Sequence, residues 1–388
     1  MRSVRLAIAV AILFVSCSAF GTTCPTGYSY VYSLTIPPVT ALGSNQTNFP
    51  MYFAGNAALK TVANSGYVQS STGLDVVWCD SASGGNLLPY ELVANTYTPA
   101  SGAGEWWVQV PTVYHSATTE TIYAFVGKSG ATDQSCGPSG ANNCGSTLWN
   151  GYLGVFHGGT SSTLSVVNST YGTTPTNHST TAGAAGVNGG IQTGLSGYVD
   201  AGGTFASSSY TLETWASATL WSQASGCQIL MANQNTAATA GTAWCYQNAA
   251  HILSMNICNG SGYSTAKFAF SPSNSTLYHL ALQYNGSNAS LATSYAGYLN
   301  GASQSMSMSA TAATTQATPT TDFLIGEYAG GLQFSDLLVD ELRVASSALS
   351  ADWINADYLN QSSPTSFYGT FTGTGLSGGA VKHRSVIY

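Results

Sequence analysis

Apolar and polar residues alternate along most of the chain in short runs separated by Gly, Ser, Thr and Asn clusters. The strictest run is Glu105–Pro111, where Trp106, Val108 and Val110 fall on one face and Trp107 and Gln109 on the other. Tyr28–Ile36, Phe49–Phe53, Leu74–Trp78, Leu87–Val93 and Thr121–Val126 are further strand candidates, and their regular spacing predicts a β-sandwich. A polar stretch rich in Gly, Ser, Thr and Asn follows, containing one strand, Leu148–His157. Strands then resume at Tyr210–Ala216, Gln228–Asn233, Trp244–Asn248, Ile252–Cys258, Leu277–Gly286, Ala296–Gly301, Phe323–Gly326 and Phe334–Val344. Asn300-Gly301 suits a primed hairpin turn. One short helix is expected near the C-terminus, with Ser350 as N-cap and Asp352 in its first turn.

The expected fold class is all-β, two β-sandwich modules in 388 residues. The boundaries are a leader over 1–21, a first sandwich over 24–130, a connector over 131–190, a second sandwich over 191–368 and a flexible tail over 369–388. A strand added to the body or to a neighbour is the other reading of the tail.

Charge narrows the functions. Only 6% of residues are charged, against about 25% in an average soluble protein. Eight Lys and Arg oppose fifteen Asp and Glu, and four of the bases lie at the two ends. Four scattered bases cannot release counterions from a duplex, so nucleic acid is excluded as a partner. The Glu- and Lys-rich outer faces of long amphipathic helices are missing too.

Met1–Arg5 is basic, Leu6–Val15 is apolar, and Ser16–Gly21 is mostly small, the three parts of a secretory signal peptide. The apolar run is too short to span a bilayer, and no later run is long enough, so no membrane span is expected. Cys17 could serve instead as a bacterial lipoprotein's acylated residue. Loss of Arg2 and Arg5 with the leader would take the formal net charge from −7 to −9. Export permits disulfides. Cys136 and Cys144 bracket a short turn-rich loop, Cys24 with Cys79 would tie the N-terminal strand to its module, and Cys227 with Cys245 is the candidate among the last three. The seventh mature cysteine is free or pairs between chains. A cysteine-based zinc site is disfavoured, since no Cys-x-x-Cys occurs.

Two ordered sets of motifs resemble known families. Asn48-Phe49-Pro50, Gly73-Leu-Asp75-Val-Val-Trp78-Cys-Asp80, Leu87-Leu-Pro-Tyr-Glu91, Trp107-Val-Gln-Val-Pro111 and Ile122-Tyr-Ala-Phe-Val-Gly127 resemble, in order, the family called domain of unknown function 2341. That family has no established activity, so the resemblance informs architecture. In the second module, Tyr210-Thr-Leu-Glu-Thr-Trp215, Leu277-Tyr-His279-Leu-Ala, Leu299-Asn300-Gly301, Asp340-Glu341-Leu-Arg343-Val344 and the Ala348–Gln361 helix resemble the concanavalin A-like (laminin G-like) jelly roll. Jelly rolls of this type often hold calcium, and the resemblance makes Asp340 and Asp200 the candidate ligands. A buried Asp340–Arg343 pair is the competing reading.

Enzymatic motifs are not evident. Glycosidases place two carboxylates at defined separations, and laminarinase-type enzymes of this fold carry Glu-x-Asp-x-x-Glu on one strand, which this sequence does not contain. In Asp336–Glu341, period-2 alternation puts Asp336 and Asp340 on one face and Glu341 on the other. Glu105 and Glu120 read as solvated strand ends, and His157 and His279 as packed or hydrogen-bonded residues. No Gly-x-Ser-x-Gly elbow is present. The expectation is a secreted bacterial non-enzyme binding a polysaccharide or glycan, with Trp221, Tyr263 and Trp106 as candidate aromatic platforms. The alternatives are an adhesive, self-assembling protein whose partners are neighbouring surface proteins, or a hydrolase with acids gathered from separate strands.

Overall fold

The computed structural model describes residues 23–138, 143–184, 187–221, 227–260, 262–328 and 336–376. The expected leader, including Cys17, and the last twelve residues of the tail lie outside them. The described chain is nearly all strand, with two helices, α1 (Ala351–Ser362) and α2 (Pro364–Phe367), where the sequence predicts one. Ser350 caps α1 by accepting a hydrogen bond from the Trp353 amide. No helix among the described residues is long and apolar enough to cross a membrane.

The first module pairs a five-stranded sheet with a three-stranded one. The small sheet is built on the hairpin-like pairing of Gln46–Gly55 with Ala103–Val113, flanked by Tyr90–Leu92. Its inward side chains are those the alternation selects: Trp106, Val108 and Val110 join Phe49, Phe53 and Trp78 in one core. Trp107 points the other way and packs with Trp149, Tyr152 and Val155. Asp75, fully buried, accepts hydrogen bonds from the amides of Gln69, Ser70 and Gly127, which fixes two loops at once.

The second module is two eight-stranded sheets around a separate core. One sheet centres on Leu337–Ala345, paired with Tyr210–Ala218. The other runs as an antiparallel meander from Cys227–Ala232 to Tyr263–Ala269. The Asn300-Gly301 turn forms as its sequence demands, with φ of 49° and 74° across a two-residue loop.

Three boundaries differ from the sequence reading. The expected connector contributes Tyr152–Phe156, which pairs with Leu337–Ala345, and Thr176–His178, which pairs with Tyr198–Asp200, so it is largely part of the jelly roll. The C-terminal helices belong to the first module's core through Ala356, Phe367 and Tyr368. Residues Phe371–Gly375 of the expected flexible tail form a strand along Tyr30–Ile36. The first and last named strands among the described residues thus share one sheet, and the jelly roll is inserted between them.

The structure joins Cys24 to Cys79, Cys136 to Cys144 and Cys227 to Cys245. Cys258 is a buried thiol outside the three disulfides, its pKa pushed up to about 12 by burial.

Candidate functional site

Where the modules meet, each contributes charge to a closed polar network. Glu91 and Glu105 come from the small sheet, His157 from the end of Tyr152–Phe156, Glu341 and Arg343 from Leu337–Ala345, and Asp357 from α1. All six are buried. His157 Nδ1 lies 2.7 Å from Glu341 Oε1, and its Nε2 lies 3.4 Å from Glu91 Oε2. The Arg343 fork reaches Glu341 and Asp357, each at 2.7 Å. Its guanidinium stacks over Trp107 and Trp149, with centroids at 4.3 and 5.1 Å, so a delocalised cation fills an otherwise aromatic wall. Glu91 also accepts from Trp149 Nε1 and Ser169 Oγ, and Glu105 accepts from Trp107 Nε1.

Burial alone would lower the His157 pKa, but Glu341 and Glu91 raise it well above the usual range. Burial would raise Glu341, but His157 and Arg343 hold it down, to about 2. Glu105 is pushed well up by burial and by the Glu341 charge. The junction therefore pairs cations with carboxylates. Such an arrangement fixes geometry more than it adds net stability.

The sequence misses this network for two reasons. Glu105 is fully buried rather than solvated, because the face of its strand that looks polar is covered by the second module. Glu341 has φ of 49°, and two residues, Glu341 and Leu342, fit between the pairs Trp215↔Asp340 and Glu213↔Arg343. This bulge interrupts the period-2 alternation, so Asp340 and Glu341 both leave the core face while Leu337, Val339, Leu342 and Val344 stay in it. Arg343 consequently pairs with Glu341 and Asp357, not with Asp340.

The calcium candidates do not come together. Asp340 and Asp200 lie in opposite sheets. Asp340 is buried and accepts from the amides of Val187 and Glu341, and Asp200 accepts from the Gly202 amide.

Two of the three aromatic candidates are misplaced as well. Trp106 and Trp221 are 0% and 2% exposed, core residues of the first and second modules respectively. Tyr263, at 45% exposure, stands on the surface. Trp353 of α1 does line an opening. It borders a cleft of about 470 Å³ between the modules. Trp353 Nε1 donates to Tyr152 Oη at 3.1 Å, which sets the indole plane, and Phe49 packs edge-on at 5.2 Å. Asn48, Asn86, Gln109 and Asn150 present amides around the rim, and Pro50, Pro89 and Leu148 supply apolar floor. The one acid, Asp80, is held by the backbone and side-chain amides of Asn86. An aromatic edge, amides and little charge make a site for a neutral, hydroxyl-rich molecule.

Residues 192–355 match the family described as the concanavalin A-like lectin/glucanases superfamily. Solved structures similar to the chain include domain 4 of a GH43 extracellular arabinanase from Geobacillus stearothermophilus in complex with arabinotriose, at 13% identity and TM-score 0.38, covering 48% of this chain and 86% of that one. The receptor binding domain of botulinum neurotoxin D is similar at 12% identity and TM-score 0.40, covering 54% and 53%. A Trypanosoma rangeli sialidase in complex with 2,3-difluorosialic acid is similar at 12% identity and TM-score 0.40, covering 55% and 33%. The chain thus spans about half the length of the neurotoxin domain. No curated protein matches it. The segment 192–355 is a lectin-like, concanavalin A-like jelly roll within an all-β chain.

Proposed function

We propose that the chain is a secreted, non-catalytic protein that binds a neutral glycan in the cleft between its modules. The observation that carries this reading is the cleft itself: the Trp353 indole beside Asn48, Asn86, Gln109 and Asn150 on a nearly uncharged surface. An indole stacks on the apolar face of a pyranose while amides bond its hydroxyls. The jelly-roll fold suits a lectin but does not choose the ligand. A hydrolase would need two carboxylates facing an opening. The acids that converge at the junction, Glu91, Glu105 and Glu341, are instead buried where the modules meet, and Asp80 stands as the cleft's one acid. The first module's likeness to the domain of unknown function 2341 family is part of the same reading, as the module that forms one wall of the cleft.

The test is a glycan array probed with the full chain. Binding to neutral oligosaccharides that falls in Asn150→Ala and Trp353→Ala, and persists in Tyr263→Ala, supports the cleft. Loss in Tyr263→Ala alone moves the site to that exposed ring, and an array without binding overturns the reading.

A further inference from the structure

Beneath α1 lies a second buried cluster that shares no residue with the cleft. Glu213 and His279 stand on adjacent strands, His279 opposite Trp215 and therefore diagonal to Glu213 on the same face. Asp357 of α1 closes the group from above. One ligand atom from each of the three lies within 4.8 Å of the others. All three are 1% exposed or less.

Neither His279 nitrogen has a hydrogen-bond partner, and Glu213 bonds only to the Asp357 carboxyl. Glu213 Oε1 is 2.8 Å from His279 Nε2, yet the pair is not aligned for a hydrogen bond. A carboxylate and an imidazole that converge without bonding each other are arranged to share a third body. The positive counter-charge already present, Arg343, is spent on Asp357 Oδ2 and Glu341. Asp357 Oδ1 is oriented by Gln361 Nε2 at 2.6 Å, and Gln361 is in turn bonded by Trp215 Nε1. That is the outer-shell support ligating carboxylates receive in metal sites. An opening of about 270 Å³ is lined by Trp215, Tyr358 and Gln361, the residues that pack on His279 and bond Asp357.

We propose that Glu213, His279 and Asp357 bind a divalent transition cation of the zinc or manganese type, which pins α1 to the jelly-roll sheet. One imidazole and two carboxylates suit such ions, whereas calcium takes oxygen donors alone. The other candidate group, Glu105–His157–Glu341, is committed to hydrogen bonds with Trp107 and Arg343 and within itself.

The experiment uses the full chain stripped with a chelator and titrated with Zn2+ and Mn2+ by calorimetry, with retained metal counted by elemental analysis. One equivalent per chain and a rise in Tm are expected. Glu213→Gln and His279→Gln should each weaken binding at least tenfold, while Glu105→Gln leaves it unchanged. No uptake by the wild-type chain, or unchanged uptake in both variants, overturns the proposal. Should the variants fail to fold, the wild-type chain loaded with Co2+ decides: an intense visible spectrum of a low-coordinate site supports it, and a weak aquo-like spectrum overturns it.

Discussion

Asn360 of α1 holds both backbone groups of Tyr52: its Oδ1 accepts from the Tyr52 amide at 2.7 Å and its Nδ2 donates to the Tyr52 carbonyl at 3.0 Å. Tyr52 lies on Gln46–Gly55, the edge strand of the small sheet, so one side chain does what a neighbouring strand would do. Asn360→Ala leaves a buried N–H and C=O without partners, each worth about 1–3 kcal/mol. The expected result is a lower denaturation midpoint with an unchanged m-value. Asn360→Asp should be intermediate, since it keeps the acceptor and loses the donor.

Arg343 is the hub of the junction. Arg343→Met removes the ion-pair partner of Asp357 and leaves Glu341 to His157 alone, a loss of about 3–5 kcal/mol. Arg343→Lys recovers little, because an ammonium cannot reach both carboxylates or stack flat between Trp107 and Trp149. Urea unfolding of the three proteins at neutral pH checks the ranking.

The His157–Glu341 pair sets a pH window. The folded-state pKa of His157 is raised, so its contribution is complete below the unfolded value near 6.5 and fades as pH rises through the folded value. The folded-state pKa of Glu341 is depressed to about 2, so its contribution is complete above the unfolded value near 4.3 and fades as pH falls toward 2. The Tm difference between the wild-type chain and His157→Gln should therefore be largest between about pH 4.3 and 6.5 and shrink at alkaline pH. A difference that grows with alkalinity would contradict the assignment.

Truncation after Tyr368 removes the strand Phe371–Gly375. Phe371 stacks on Tyr32 at 4.9 Å and packs on Phe53 at 5.2 Å, so the first core loses an aromatic side chain. The edge of Tyr30–Ile36 is then bare, a template for another chain. A lower Tm and concentration-dependent association on size exclusion are expected. The same strand favours the assembly reading if a neighbour's tail can replace it, and mixing full-length with truncated chains tests that exchange.

Much of the fold was legible because it rests on local pattern. The alternation in Glu105–Pro111 sorted Trp106 from Trp107 correctly, since a pleated strand sends successive side chains to opposite faces. Asn300-Gly301 announced its turn through the two residue types that accept positive φ. Asp340-Glu341-Leu-Arg343 stood out as a motif, but the alternation broke at Glu341, where an extra residue in a left-handed conformation has no periodic signature.

By itself, then, the sequence determined an all-β chain, its strand faces and the jelly-roll segment, because these depend on spacing along one strand. Only the tertiary structure decided which polar face would be buried. Glu91, Glu105, His157, Glu341 and Asp357 come from segments far apart in the sequence, and each reads as an isolated charge until two modules close over it. The cleft at Trp353 arises the same way, from a C-terminal helix folding back onto the first sandwich. A module boundary drawn along the sequence could not contain that contact, because the burial that stabilises it joins opposite ends of the chain.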